Sequence, residues 1–217
     1  MDSKPVVHYF EIWGRGEPVR MMLWAAKVPY ENKFVPLPKE EGWKDVRDDY
    51  EFKAVPALDI DGKRLTQTSS IMRYIARKYG MAPEDPYQEY LIDSVCEVMQ
   101  DIFMGMMPLF RAPPEEKMAA TKKFTEETLE VKVGYIENRL KKNSNQDYLV
   151  GDKITVADVM YLNAYYSMWL DENNKNEERN ALYKAAFDKH PVFVKYIEGM
   201  RQKFDEYWTT QRIKSKM

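Results

Sequence analysis

Cysteine and histidine are scarce in this chain of 217 residues. Cys96 is the only cysteine, so an internal disulfide bond cannot form, and this usage fits a reducing compartment. The histidines, His8 and His190, have no cysteine or acid pairs around them at a spacing that would bind a metal ion. A glycine-rich phosphate loop is missing too, because Gly14-Arg15-Gly16 lacks the rest of a dinucleotide fingerprint. We therefore expect no disulfide, no metal site and no bound nucleotide cofactor.

Long apolar runs and an excess of one charge are also missing. No stretch approaches the ~20 apolar residues that a membrane-spanning helix needs. The opening Met1-Asp2-Ser3-Lys4-Pro5 is too charged and too proline-broken for the apolar core of a signal peptide. The 33 basic and 35 acidic residues nearly cancel, so the chain lacks the basic footprint of a nucleic-acid or anionic-membrane binder. We expect a soluble cytoplasmic protein.

The chain has 44% hydrophobic residues, enough for a real core, and its pattern changes after residue 80. The first part alternates between strand and helix, with elements predicted at 5–10, 17–27, 31–36, 43–50, 57–66 and 69–79. Residues 81–86 contain two prolines and read as a linker. Helical periodicity dominates residues 87–217. The order βαβ-α-ββα predicts a thioredoxin-like α/β domain at 1–80, followed by an all-α helical-bundle domain.

Short motifs in the first half could each bind a different part of one small peptide that carries a thiol group. Tyr9 ends an apolar strand and offers a phenol donor, with Arg15 as a candidate cation in the following turn. Val55-Pro56 precedes a short strand and could offer an extended backbone edge. Gln67-Thr68 opens a helix, whose N-terminus favours a carboxylate. Plainer interpretations exist for each: a strand tyrosine, a proline that starts a strand, and an ordinary N-cap.

In this order, the motifs resemble those of the cytosolic glutathione S-transferases of the tyrosine type. The closest resemblance is to the sigma class, which includes glutathione-dependent prostaglandin D synthases and cephalopod lens crystallins. The resemblance covers nearly the whole chain, and the matching segments are Tyr9-Phe10, Gly14–Arg20, Val55–Leu58, Asp61-Gly62, Leu65–Ala76, Gln100–Phe103 and Ile154–Asp158.

The resemblance implies a role for each motif in binding reduced glutathione, the co-substrate. Tyr9 and Arg15 would stabilise the glutathione thiolate. Val55 and Pro56 would pair with the peptide backbone of the ligand, and the bond between them would be cis. Gln67 and Thr68 would hold the γ-glutamyl end, with Thr68 standing where serine is usual.

Further contacts follow from the same resemblance. Trp43 and Arg47 lie four apart, so both can face one side of a helical turn, and they would receive the glycine carboxylate. Asp101 would reach the γ-glutamyl amine of glutathione in the neighbouring subunit, which implies a homodimer. Phe52-Lys53-Ala54 departs from the commoner Gly-Gln or Gly-Lys, which puts in doubt the side-chain contact usually made from position 54 and leaves open whether Lys53 replaces it.

An apolar pocket for a second substrate is the last hypothesis for the site. Methionine is adaptable and suits varied apolar ligands, although methionine clusters are more often plain core. We expect this electrophile site to be built from Phe10, Trp13, Met104 and Met107, with Met106 and Phe110 nearby.

The predicted function is that of an enzyme, a glutathione S-transferase that conjugates the thiolate to small apolar electrophiles. An isomerase of the prostaglandin D synthase type and a peroxidase would use the same thiolate, and the sequence leaves both open. A non-catalytic crystallin or ligand carrier would share the fold. Intact Tyr9 and Gln67-Thr68 argue against that last role, because a purely structural protein does not need them.

Overall fold

The structure is a computed structural model that describes residues 4–171 and 173–216. Met1–Ala82 and Asp205–Met217 group into one unit, and Pro83–Phe204 form a second. The prediction drew its division at residues 81–86 and assigned every later residue to the helical half. The structure instead groups the C-terminal segment 205–217 with the first unit.

The first unit contains a small mixed sheet. Its elements are β1 (Val6–Tyr9), α1 (Glu17–Ala25), β2 (Glu31–Phe34), α2 (Trp43–Val46), a 3₁₀ turn (Arg47–Asp49), β3 (Ala57–Ile60), β4 (Lys63–Thr66) and α3 (Thr68–Lys78). Within the described residues the strand order is β2-β1-β3-β4, with β1 parallel to β2 and antiparallel to β3. This arrangement confirms the predicted thioredoxin-like domain.

Local sequence explains the hairpin and the helix packing of this unit. Asp61 and Gly62 join β3 to β4 with φ of 51° and 70°, the left-handed pair that a tight hairpin turn requires. Helix α3 packs on α1 and on the β3–β4 hairpin. Val19, Met22 and Leu23 form an apolar stripe on α1 that has no exposed surface.

The C-terminal segment is tied to α1 and to the loop before it. The Tyr207 hydroxyl donates to Glu17 Oε1 at 2.8 Å. The Arg212 guanidinium lies 3.6 Å from the ring centroid of Trp13 and 4.1 Å from that of Trp208. Cation–π contacts of this kind favour arginine, whose planar group stacks on aromatic rings. These contacts explain why residues 205–217 belong to the first unit.

The second unit is helical. Its helices are α4 (Pro86–Arg111), α5 (Lys117–Phe124), α6 (Glu130–Lys142), α7 (Val156–Ala164), α8 (Glu177–Phe187) and α9 (Pro191–Lys203), with π-helical turns at Thr125–Leu129 and Tyr165–Trp169. All nine residues of α7 are buried, as expected for the central helix of a bundle. The predicted all-α domain is confirmed. No helix among the described residues is both long and apolar enough to cross a membrane.

Helix α7 begins with a capping box. The N–H of Thr155 donates to Asp158 Oδ2 at 2.8 Å, and the two residues cap the helix reciprocally. The Tyr196 hydroxyl and the Leu149 N–H donate to the other carboxylate oxygen, at 2.7 and 2.9 Å. Four donors thus surround a fully buried carboxylate, which explains how a charged residue is tolerated in the core.

The N-terminus of helix α9 is capped by a carboxylate from another helix. Glu137 of α6 is buried, and its Oε2 accepts the N–H groups of Val192 and Phe193, both at 3.0 Å. N–H groups in the first turn have no partner within their own helix. Burial raises the pKa of Glu137, but the bonds from Lys141 and the Phe193 N–H outweigh it, so the pKa lies below its ordinary value of 4.5.

Glu137→Gln should weaken the second unit in a pH-dependent way. Because the folded-state pKa is lowered, the ionised carboxylate contributes stability above its ordinary pKa, and this contribution is lost as the pH falls through the lowered value. Chemical denaturation at neutral pH should show a loss of about 1–3 kcal/mol in the free energy of unfolding. The difference from the unmodified protein should shrink in acid. Glu126→Gln, at an exposed pair with Lys122, is the control and should change little. A difference that does not vary with pH would contradict this account.

Candidate functional site

Tyr9 is the centre of the candidate site. It ends β1, is 6% exposed, and its Oη accepts the backbone N–H of Arg15 at 2.9 Å. Burial raises the pKa of the Tyr9 phenol, and the Arg15 N–H and the charges of Arg15 and Arg20 oppose this only in part. The phenol therefore keeps its hydrogen at neutral pH. Its oxygen is oriented by the loop, and its O–H can donate to a ligand.

Two glycines leave a slot for the Tyr9 ring. A Cβ on Gly14 would lie 2.7 Å from Tyr9 Oη, and one on Gly16 would lie 2.4 Å from the ring carbons Cγ and Cδ1. Gly14 also has φ of 42°, which L-residues with a side chain rarely adopt. The sequence interpretation treated these glycines only as a turn. Their placement on either side of Arg15, soon after a strand tyrosine, was the signal for a close approach.

A buried ion pair beneath Tyr9 was also missed. Glu17 and Arg20 of α1 have no exposed surface, and Arg20 Nη1 donates to Glu17 Oε2 at 2.8 Å. The Arg20 guanidinium lies 5.9 Å from the centroid of the Tyr9 ring, within cation–π range. The Asn32 side chain accepts from Arg20 Nε at 2.8 Å. The spacing of three between opposite charges on one helix was the available sequence signal.

Arg15 and Thr68 are brought together with Tyr9. The Thr68 hydroxyl donates to the Arg15 carbonyl at 3.2 Å, while the Arg15 N–H donates to Tyr9. Thr68 is the first residue of α3, and Gln67 before it has φ of 69°, a left-handed conformation that is costly for a residue other than glycine. The predicted thiolate residues and the predicted carboxylate-binding helix start are therefore joined by a chain of hydrogen bonds.

The Val55–Pro56 bond is cis, as the resemblance implied. Val55 is half-buried and packs against a cluster of buried side chains that includes Trp43 and Tyr50. Its N–H and C=O make no hydrogen bond to any residue within 4–171 and 173–216. The backbone edge predicted at this position therefore has both polar groups available.

Trp43 and Arg47 lie in different surroundings. Trp43 is buried, with its ring 5.4 Å from that of Phe10, and the Phe10 ring is 5.0 Å from that of Tyr9. Arg47 is exposed and lies 3.6 Å from Asp48. Helix α2 runs from Trp43 to Val46, and the Arg47 N–H donates to the Trp43 carbonyl, so the two residues lie one helical turn apart, as their spacing predicted.

A second cation accompanies Arg47. Lys53 Nζ lies 3.1 Å from the same Asp48 carboxylate, and its side chain is largely exposed. Both cations therefore lie in the second half of the connection between β2 and β3. Although Phe52-Lys53-Ala54 differs from the sequence that is usual in the family, Lys53 keeps a positive charge in this region.

Phe10 and Trp13, the predicted electrophile contacts of the first unit, differ in accessibility. Phe10 is half-buried. Trp13 is only 5% exposed, its indole N–H donates to the Ile213 carbonyl at 2.8 Å, and Arg212 covers its ring. In this conformation Trp13 contacts the C-terminal segment, a contact between residues 200 positions apart that no local sequence pattern indicates.

The predicted residues of the second unit all lie on α4. Asp101 is exposed and accepts from Lys132 Nζ at 2.7 Å. Met104 is 69% exposed and Met107 is half-buried, so both can offer apolar surface, whereas Met106 is buried in the core. Across the part of the chain that the structure describes, no group of three or more His, Cys, Asp or Glu side chains is placed to hold a metal ion.

Comparisons with known proteins identify the family of this chain. Residues 5–77 match the family described as glutathione S-transferase, N-terminal domain, and residues 100–203 match its C-terminal domain. The chain is 37% identical over 205 residues to glutathione S-transferase A1 of Bos taurus, covering 94% of this chain and 92% of that protein. It is 36% identical over 162 residues to glutathione S-transferase alpha-1 of Rattus norvegicus, covering 75% and 72% of the two chains. The chain therefore belongs to the glutathione S-transferase family.

A solved structure extends the likeness at the level of fold. Prostaglandin synthase D of Nilaparvata lugens superimposes with a TM-score of 0.79, covering 98% of this chain and 100% of that one. Its sequence identity is 21%, so the likeness concerns the fold alone. The predicted family is confirmed, but these matches do not assign the chain to one class within that family.

Gly16→Ala should displace Tyr9 from its slot. The added methyl group would overlap the ring, and overpacking of this kind typically costs about 1–3 kcal/mol in the free energy of unfolding. Gly199→Ala is the matched control, because among residues 4–171 and 173–216 no atom outside the adjoining backbone of α9 and the two neighbouring residues lies within 4 Å of its Cβ position. It should leave stability unchanged or raise it slightly. Equal stabilities for the two variants in chemical denaturation would mean that the slot does not constrain Tyr9.

Proposed function

We propose that this chain conjugates the thiolate of reduced glutathione to small apolar electrophiles in the cytoplasm, a role suited to detoxification. Membership of the family makes it a glutathione transferase, and the observation that carries the mechanism is the Tyr9 hydroxyl. Its oxygen accepts the Arg15 N–H, so its hydrogen is left for the sulfur of glutathione. A donor fixed in this way stabilises the thiolate more than the thiol.

The size of the required effect is modest. A free thiol of pKa ~8.5 is only about 3% ionised at neutral pH. Lowering this pKa by ~2 units requires ~2.7 kcal/mol of preferential thiolate stabilisation. One charge-assisted hydrogen bond from Tyr9 supplies a large part of this free energy, and the nearby positive charge of Arg15 adds to it. The thiolate then attacks an electrophilic carbon, a carbon–sulfur bond forms, and the leaving group departs with its electron pair.

The γ-glutamyl and central parts of glutathione fit the next contacts. The N-terminus of α3, with Gln67 and Thr68, offers N–H donors and a positive dipole end to the γ-glutamyl carboxylate. The available N–H and C=O of Val55 can pair with the ligand backbone as an added strand, beside Pro56. Reduced glutathione is the only small molecule besides the electrophile that this proposal requires.

The glycine carboxylate fits the region of Trp43 and Arg47. Arg47 is exposed, and Lys53 brings a second positive charge to the same carboxylate, that of Asp48. A bound carboxylate can compete with Asp48 for these cations. Trp43, one helical turn before Arg47, provides an aromatic surface that is held by its contact with Phe10.

Apolar surface for the electrophile comes from each unit separately. In the first unit, Phe10 lies beside Tyr9 and is half-buried, whereas Trp13 becomes accessible only if the C-terminal segment moves. In the second unit, Met104 and Met107 present apolar side chains on α4. Flexible methionines suit substrates of varied shape.

The class within the family is a finer hypothesis. The motif series favours the sigma class, while the relatives named above carry A1 and alpha names. Purified protein should be assayed with glutathione against a chlorinated nitroaromatic, a hydroperoxide and a prostaglandin endoperoxide. If the nitroaromatic is turned over faster than the other two substrates, the proposed conjugation is supported. If only the endoperoxide is turned over, the protein is an isomerase instead.

We further propose a two-fold symmetric homodimer in which Asp101 reaches glutathione in the partner's site. Exposed aromatic side chains support an interface, because large apolar groups are seldom left in water without a reason. In the first unit Phe52 is 56% exposed, and in the second unit Tyr87, Tyr90 and Tyr135 are 64%, 60% and 56% exposed. Such aromatic residues are enriched at protein interfaces.

Tyr9→Phe tests the proposed chemistry. The change removes the donor but keeps the ring, so turnover should fall by about 10²-fold or more while glutathione affinity stays within a few-fold. The pKa of the bound thiol, followed by its thiolate absorbance, should rise toward its value in solution. Tyr148→Phe, in the second unit, is the control and should keep full turnover. Wild-type turnover in the Tyr9 variant at neutral pH would show that Tyr9 is not the activator.

Mixed dimers test the role of Asp101 in the partner's site. Asp101→Asn should raise the dissociation constant for glutathione and leave the thiol pKa unchanged, because the carboxylate pairs with the ligand's ammonium group. A dimer of one Tyr9→Phe chain and one Asp101→Asn chain should contain one doubly damaged site and one intact site. Its glutathione KM should then be that of the wild type, at half the turnover. A raised KM would place Asp101 in its own chain's site, and a monomer in sedimentation would refute the dimer.

A further inference from the structure

A closed ring of hydrogen bonds joins the sheet to the long connection between β2 and β3. Tyr50 Oη lies 3.0 Å from His8 Nδ1, and His8 Nε2 lies 3.0 Å from Asp59 Oδ2. Arg64 donates to both carboxylate oxygens of Asp59, at 2.7 and 2.8 Å. Its Nη1 also donates to the backbone carbonyl of Asp49 at 3.2 Å. Because Asp49 precedes Tyr50, the ring closes where it began.

The ionisation states fix the direction of each bond. Hydrogen bonding to Arg64 lowers the pKa of Asp59, so its carboxylate is ionised at neutral pH and only accepts. His8 Nε2 must therefore carry a hydrogen. Burial lowers the pKa of His8 against the raising effect of Asp59, so the imidazole is neutral and its Nδ1 accepts from Tyr50. Burial also raises the pKa of Tyr50, which keeps its hydrogen.

The ring of Trp43 packs against the ring of Tyr50. Both side chains are buried, and their rings are nearly parallel, with an angle of 16° and centroids 6.4 Å apart. The Arg64 guanidinium lies 5.4 Å from the Tyr50 ring. Trp43 in turn meets the Phe10 ring edge-on. The orientation of Trp43 therefore depends on where the Tyr50 ring is held.

The connection between β2 and β3 needs such an anchor because it contains little regular secondary structure. Between Phe34 and Ala57 the regular elements are a helix of four residues, α2, and a 3₁₀ turn of three residues. Helices this short do not form stably on their own. The three strands that supply His8, Asp59 and Arg64 are paired with one another, so they form a rigid base for the anchor.

We infer that Tyr50 is a positioning residue for the glycine end of glutathione, anchored by the ring that includes His8, Asp59 and Arg64. The inference rests on the proposed function, because it requires that Trp43 and Arg47 receive that end of the ligand. Tyr50 acts through Trp43, since its own hydroxyl is engaged by His8.

Tyr50→Phe separates this role from general packing, because it keeps the stacked ring and removes the anchor. The variant and the wild type should each be assayed with glutathione and with γ-glutamylcysteine, which lacks the glycine. With glutathione, KM should rise about three- to tenfold, the effect of one hydrogen bond, while kcat changes less than about twofold. With γ-glutamylcysteine, the KM of variant and wild type should agree within about twofold.

Tyr74→Phe is the matched control. Its hydroxyl donates to Asp61 at 3.0 Å in the same unit, so the variant likewise loses one tyrosine hydrogen bond, on α3 and to a carboxylate instead of a histidine. It should leave KM unchanged for both thiols. If Tyr50→Phe fails to fold, Arg64→Lys keeps the charge, loses the paired contact with Asp59, and should show a smaller penalty that again requires the glycine.

The outcomes separate this inference from the proposed function. An equal KM penalty with both thiols, or none with glutathione, overturns the positioning role while the transferase activity stands. A wild-type protein that conjugates neither thiol refutes the proposed function itself. A penalty confined to glutathione, with normal folding by circular dichroism, supports both.

Discussion

The hydrogen bond from the Arg15 amide to the Tyr9 phenol is the contact on which the site depends. It determines which lone pair of the phenol is used and therefore where the phenolic hydrogen can point. A backbone donor is well suited to this task, because it cannot rotate away as a side chain would. The bond exists only because Gly14 and Gly16 allow the loop to pass close to the ring. The geometry of the loop therefore sets the direction in which the Tyr9 hydroxyl can donate its hydrogen.

Around this bond, the first unit uses buried charge to fix position. The Glu17–Arg20 pair is fully enclosed, and removing one partner of such a pair is strongly destabilising, whereas the intact pair gains little over apolar packing. Its value lies in geometry, because Glu17 orients the Arg20 guanidinium, which also bonds to Asn32 and lies over the Tyr9 ring. The His8–Asp59–Arg64 group does the same for the opposite end of the site. Both sets are fully or partly removed from water, where directional bonds are strong.

The fold was largely predictable because its signals are local. The hairpin turn at Asp61-Gly62, the capping box at Thr155 and the helix starts at prolines each follow from a few neighbouring residues. The residues Tyr9, Arg15 and Thr68 were also recognisable, since each belongs to a short motif. The failures involve long-range contacts. Tyr50 and His8 are 42 positions apart, and no periodicity in either segment indicates that they meet.

The C-terminal segment has a consequence for how the chain is made. Tyr207 bonds to Glu17 across 190 positions, and Ile213 to Trp13 across 200. Protein synthesis releases the N-terminal part first, and domains usually fold in that order. Here the first unit begins to form early but lacks part of its packing until residues 207–213 emerge. Until then Trp13 and the buried Glu17 lack their partners from the C-terminal segment. The first unit is thus completed only after residues 83–204, which form the second unit, have been synthesised.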